Sequence, residues 1–222
     1  MEPDSLFKYV VLCKLAYKDH IDMYDLQKHG LNLSFTQEVV IPVKFIESHN
    51  AQCWIFIHGE EGIVVFRGSD SWQDLLHSFP VNFKPFDGVL VHTGHMSHYQ
   101  QIRDQVLDSI KHLGVKKITL TGHSIGGACA MLCAYETKGF DLDCVIFGSP
   151  ATGNQRFYNR VQERVSKMTS VVVENDWVPI LFTLNQIPCL KIKDKRVRCL
   201  FNHNIDKYVS GINHLRSILN KL

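Results

Sequence analysis

The chain has 222 residues, 45% hydrophobic and 21% charged, so it is long enough to bury a sizeable core and too apolar to be disordered. Basic and acidic side chains nearly cancel, 24 against 22, and a net charge of +2 calls for no nucleic-acid partner. Seven cysteines (Cys13, Cys53, Cys129, Cys133, Cys144, Cys189 and Cys199) form an odd set with no Cys-x-x-Cys pair, which argues against a zinc ribbon and predicts small buried hydrophobes in a reducing compartment.

In chain order, Met1-Glu2-Pro3-Asp4 is acidic, and Lys8 and Lys14 interrupt the apolar stretch after it. No secretory leader or membrane span is expected there, and the location expected is cytoplasmic or otherwise intracellular. Leu6, Val10, Cys13 and Tyr17 recur at helical steps and predict a helix over 4–19. Residues 20–38 read as turn and loop, broken at Gly30. A Val- and Ile-rich run over 39–46 predicts a strand, which Pro42 makes an edge or bulged one. Gln52–His58 and Gly62–Arg67 read as a hairpin. Residues 71–78 suit a short helix, and 79–90, with Pro80, Pro85 and Gly88, a loop.

Tyr99, Ile102, Val106 and Ile110 share a face and predict one long helix over 95–113, ended by Gly114. Lys117–Thr121, Asp143–Phe147 and Met168–Val173 read as strands, and 125–138 and 155–164 as helices. Residues 189–200 read as a second hairpin around Lys193-Asp194-Lys195, which makes the basic run Lys191–Arg198 a solvated hairpin, with docking on an anionic surface as the alternative. A last helix starts near Asn204, with Ile205, Tyr208, Val209, Ile212 and Leu215 on one side. Strands alternate with helices from Gly62 onward. That pattern predicts an α/β fold of three layers with a mostly parallel central sheet, as one domain over 1–222.

The sharpest local signal is Gly122-His123-Ser124-Ile125-Gly126, between the strand Ile118-Thr119-Leu120 and the helix-forming run from Ala128 to Leu132. Strand, sharp turn and helix make a nucleophile elbow of the α/β-hydrolase kind. There the serine takes a positive φ, and the glycines leave room where strand and helix meet. The turn also sets the Ile125 N–H at a helix N-terminus, where negative charge is stabilised.

A serine nucleophile needs a base, and in this fold the triad follows the order Ser, acid, His. Asp176 follows the strand ending at Val173, with Glu174 as a rival and Asp141 and Asp143 as weaker ones. Of the histidines, only His203 and His214 follow Asp176; His203 is favoured because it sits in the loop before the last helix. His123 adjoins the nucleophile, with its side chain expected to point elsewhere. The strand Val64-Val65-Phe66-Arg67 ends in Gly68-Ser69, which offers the Ser69 N–H and hydroxyl as a second oxyanion donor. Arg67, a charge within an apolar strand, is expected in a structural ion pair.

Together these segments resemble the class 3 lipases, the fungal-type triacylglycerol lipase family of the α/β-hydrolase superfamily. The likeness rests on Val64–Ser69, Val91-His92-Thr93-Gly94, Thr119–Gly127, Phe147–Asn154, Asn175-Asp176-Trp177-Val178-Pro179 and the closing His203-x-x-x-x-Tyr208. The resemblance implies Ser124 as nucleophile, Asp176 as triad acid, His203 as base, and Ser69 with Ile125 as the oxyanion hole. It implies no cofactor and no metal. Gly148, Pro150 and Gly153-Asn154 match a structural signature of the family. Three departures bear on substrate: His95 stands where the family usually has Phe, Ser78 stands where it often has an acid although Asp74 is kept, and Ile180-Leu181-Phe182 replaces a usual proline. Many secreted members rely on a leader and disulfides, and neither is evident here.

Residues 70–90 occupy the family's lid region and are rich in apolar groups, among them Trp72, Leu76, Phe79 and Phe83. A lid of this kind closes in water and opens at lipid, which implies transient contact with a membrane or lipid-droplet surface. Trp72, Leu76, Leu181 and Phe182 are the candidate substrate-binding residues. The function expected is hydrolysis of glycerolipid acyl esters through a covalent acyl-enzyme. The alternatives are a non-catalytic lipid-binding or interaction protein on the same scaffold, and a serine hydrolase of another acyl substrate such as a phospholipid or thioester.

Overall fold

A computed structural model describes residues 2–31, 39–69, 82–179, 189–192 and 203–219. A seven-stranded sheet runs in the order β1 (Val40–Ser48), β2 (Ala51–His58), β3 (Glu61–Phe66), β6 (Lys117–His123), β7 (Asp141–Phe147), β8 (Lys167–Val173) and β9 (Leu190–Ile192). The first three strands pair antiparallel, and β3 onward pair parallel. Pro42 sits in the edge strand, whose register shifts between Pro42 and Lys44, so the bulge absorbs the missing ladder donor.

Side chains alternate between two cores because successive strand residues point to opposite faces. Ile118, Leu120, Cys144 and Ile146 join one core; Val145 and Phe147 join the other. The first core is covered by α3 (Thr93–Gln100), α4 (Arg103–His112), α5 (Ile125–Glu136) and α6 (Gln155–Arg164). The second is covered by α1 (Pro3–Leu15), α2 (Met23–Lys28) and α7 (Ile205–Leu219). The result is the expected three-layer α/β arrangement with a mostly parallel sheet. Helix α5 is buried at every position from Ile125 to Tyr135, as its nearly unbroken apolar sequence requires.

Three expectations need correction. Residues 23–28 form α2 within the expected loop. Its start is a capping box: the Asp22 carboxylate accepts from the Asp25 N–H at 2.8 Å, and Asp25 reaches back to the Asp22 N–H. Residues 83–92 are a hairpin rather than loop, β4 (Phe83–Phe86) against β5 (Val89–His92). Asp87 and Gly88 both take positive φ, 44° and 76°, which suits the right-handed twist of a two-residue turn.

The long helix over 95–113 is two helices. Gln101 and Ile102 donate to His98 and Tyr99, three residues back, and Ile102 leaves the helical region at φ −120°, ψ −3°. The apolar face still stays buried, so periodicity alone read through the break. The described part of the expected second hairpin, β9, is a strand and pairs parallel to β8. Its turn, and the short helix at 71–78, lie outside the described residues.

Candidate active site

The turn after β6, the loop after β8 and the residues just before α7 meet at one edge of the sheet, the edge where ligands gather in α/β folds. At the end of β6 Ser124 takes φ 58° and ψ −131°, the left-handed strain that an elbow imposes. Its N–H donates to the Phe147 carbonyl at 3.0 Å, which ties the elbow to β7. The glycines around it are steric requirements. A Cβ on Gly122 would lie 2.3 Å from the Gly126 backbone, and one on Gly126 would lie 2.2 Å from the Phe66 carbonyl oxygen.

The Ser124 Oγ is 2.7 Å from His203 Nε2, and His203 Nδ1 is 2.8 Å from Asp176 Oδ2. All three residues are buried. An ionised carboxylate only accepts, so the Nδ1 carries the proton and Nε2 is left to accept from the serine hydroxyl. Asp176 is held in turn by a tight loop after β8. Asn175 takes φ 66°, the Asp176 N–H donates to Val173, and the Val178 N–H donates to Asp176 Oδ1 at 2.9 Å. Tyr208, one turn into α7, donates its hydroxyl to Asp176 Oδ2. Burial and the neighbouring carboxylate push the Tyr208 hydroxyl well above its ordinary range, so it remains a donor. Gly148, at φ 56°, has no room for a Cβ: it would meet the Tyr208 hydroxyl at 2.5 Å and Asp176 Oδ2 at 2.9 Å.

The expected oxyanion donors, Ile125 and Ser69, belong to segments that meet at the elbow. Ile125 opens α5, so its N–H has no intrahelical partner. The end of β3 presses against the elbow: a Cβ on Gly68 would lie 2.7 Å from the His123 carbonyl, and Ser69 follows directly. Arg67 is paired as expected, with Asp19 at 2.9 Å, and lies over the Tyr17 ring.

The rivals are placed elsewhere. Glu174 is exposed, and Asp141 and Asp143 begin β7 at the far end of the sheet. His214 lies well inside α7. His92 and His95 stack on each other with centroids 4.1 Å apart at the junction of β5 and α3. Burial holds both below the ordinary imidazole range and pushes His98 down to about 4. Trp72, Leu76, Leu181 and Phe182 lie outside the described residues.

One expectation is overturned: His123 does not turn away. Its ring stacks on His203, centroids 4.7 Å apart and planes 26° from parallel, and its Nδ1 is 2.8 Å from the Tyr17 hydroxyl. From the sequence Tyr17 reads only as a helix-face residue, and Tyr208 only as a helix-face and motif residue. Neither residue is near the nucleophile in the chain, so no local pattern marks them. Among the described residues no group of His, Cys, Asp and Glu is arranged to hold a metal.

Fold and loop geometry place the chain among the α/β-hydrolases. The sequence profile of the class 3 lipases matches residues 63–186, more than half of the chain, and the chain belongs to that family. A lipase of Rhizomucor miehei is 34% identical over 132 residues, which make up 53% of this chain and 36% of that protein. A secreted mono- and diacylglycerol lipase of Malassezia restricta is 35% identical over 102 residues, 42% of this chain and 34% of that protein. The chain thus aligns with about a third of the length of these relatives. Among solved structures, a triacylglycerol lipase described as having a serine-protease triad aligns over 81% of this chain and 74% of its own, with TM-score 0.65 and 26% identity. The Rhizomucor miehei lipase–propeptide complex shares the fold over 96% of this chain and 77% of its own, with TM-score 0.73 at 22% identity.

Proposed function

We propose that the protein is a carboxylic-ester hydrolase that releases fatty acid from glycerolipids. The observation that carries this reading is the continuous line from Ser124 Oγ to His203 to Asp176, at 2.7 and 2.8 Å. In the proposed cycle His203 Nε2 takes the hydroxyl proton as Ser124 Oγ bonds to the ester carbonyl carbon. The oxyanion that forms accepts from the N–H groups of Ser69 and Ile125. The tetrahedral species collapses, the C–O bond to the alcohol breaks, and His203 returns its proton to the leaving oxygen. Water then attacks the acyl-enzyme, with His203 again as base, and frees the acid and Ser124. Asp176 holds the imidazole and offsets its positive charge throughout.

The names of the relatives supply the lipid class: mono-, di- and triacylglycerol lipases. Transient contact with a membrane or droplet surface belongs to the same proposal, and the half-exposed Trp177 beside Asp176 supports it. The six described cysteines are free thiols, five of them buried, which supports work in a reducing compartment.

Short- and long-chain nitrophenyl esters and a panel of lipid classes read by mass spectrometry test the reading, with Ser124→Ala as blank. Wild type is expected to turn over esters at least about 10⁴-fold faster than the variant. Equal rates would remove Ser124 from the mechanism, and wild-type turnover confined to thioesters would reassign the substrate.

A further inference from the structure

The end of α1 is wired to the candidate base by a path that the three-residue line does not use. Tyr17, just past the end of α1, meets His123 Nδ1 at 2.8 Å, and the His123 ring lies against His203 at 4.7 Å. The Tyr208 ring closes on His123 from another side, centroids 5.4 Å apart and planes 66° apart. His123 is buried, and its Nε2 has no hydrogen-bond partner. A buried N–H without an acceptor is costlier than a bare ring nitrogen, so the arrangement favours the tautomer with the proton on Nδ1, donated to the Tyr17 oxygen. Burial, together with the neighbouring His203, holds His123 well below the usual imidazole range, so it stays neutral when His203 gains a proton.

We propose that His123 is a positioning residue. Fixed by Tyr17, its neutral ring is the wall against which His203 is held in the plane joining Asp176 to Ser124, and its π face supports the cation that forms there during turnover. The lone pair and N–H of an imidazole lie in its ring plane, and His203 uses them toward Ser124 and Asp176. These bonds limit its sliding within that plane but resist rocking out of it weakly. A stacked ring restrains it in that direction. Offset aromatic pairs at this separation are worth about 0.5–1.5 kcal/mol, which corresponds to roughly 2- to 12-fold in rate. Lost alignment of the serine–imidazole bond adds to that figure.

The proposal rests on the reading of Ser124, Asp176 and His203 as a hydrolytic triad, so its test needs one readout that does not depend on ester turnover. His123→Ala, His123→Phe, His123→Gln and Tyr17→Phe are compared with wild type on a soluble nitrophenyl ester. In parallel, the His203 Nδ1–H resonance is followed in ¹⁵N-histidine-labelled protein. His123→Ala is expected to lower kcat about 10-fold or more with KM unchanged, and to broaden that resonance by faster exchange. His123→Phe, which keeps a ring, is expected to recover most of both; His123→Gln, which keeps polar atoms without a ring, is expected not to. Tyr17→Phe is expected to fall between wild type and His123→Ala.

Wild-type kcat and a sharp resonance in His123→Ala would overturn the proposal. So would a Phe variant as impaired as Ala beside an active Gln variant, because a polar contact rather than a stacked ring would then matter. If wild type turns over no ester while the resonance follows the expected order, the functional reading fails and the positioning role stands.

Discussion

Tyr208 and Glu61 show how single side chains set the electrostatics at the two ends of the sheet. At the edge that carries Ser124, Asp176 Oδ2 accepts from both His203 and Tyr208. Tyr208→Phe removes one hydrogen bond to a buried charge and is expected to lower kcat about 10-fold on a soluble ester, with little change in KM. Steady-state kinetics decide this, and an unchanged kcat would reduce Tyr208 to packing. At the far end Glu61 accepts from Lys8 at 2.8 Å and from Tyr9 at 2.7 Å. Burial disfavours its charge, but hydrogen bonds from His58 and Lys8 and the Lys8 charge outweigh that, and its carboxyl lies well below the usual range. A depressed folded value means that the stabilisation is complete above the unfolded value of about 4.3 and fades as pH falls below it. Glu61→Gln is therefore expected to cost about 1–3 kcal/mol at pH 7, with the gap to wild type closing on acidification below about pH 4. Urea unfolding across pH measures that gap, and parallel curves would refute the linkage.

Among the elements, the contact between the end of β3 and the start of α5 matters most to the chemistry. It brings Ser69 and Ile125, distant in sequence, to the same edge. The close approach depends on Gly126, whose added Cβ would meet backbone on β3, atoms that cannot rotate aside. Gly126→Ala is expected to force the two apart, lower stability by about 1–3 kcal/mol and reduce kcat about 100-fold, the scale of one lost oxyanion donor. Circular dichroism with fluorophosphonate labelling separates the effects; an active, fully labelled variant would argue against the paired donors. Element boundaries were less legible than element types. The break between α3 and α4 has no proline or glycine to announce it, and α2 is too short to carry a periodic signal. Its capping residues, Asp22 and Asp25, were the available clue.

Across the whole molecule, two cores clamp the sheet, and the site lies where loops from both layers meet. Leu12 is fully buried in the core that includes α1 and α7. Leu12→Ala is expected to cost about 2–5 kcal/mol and lower Tm by roughly 5–20 °C. The same change loosens the helix that leads to Tyr17, so activity per folded molecule should also fall. Calorimetry with active-site titration checks both, and a stability loss without any activity loss would separate α1 from the site. The sequence by itself determined the layer order, the elbow at Ser124 and the triad candidates, because strand–turn–helix chemistry and hydrophobic periodicity are local. Only the tertiary structure decided that Tyr208 anchors Asp176 and that His123 lies against His203. Those choices depend on the packing of residues far apart in the chain, and side-chain distances across such separations leave no trace in local pattern.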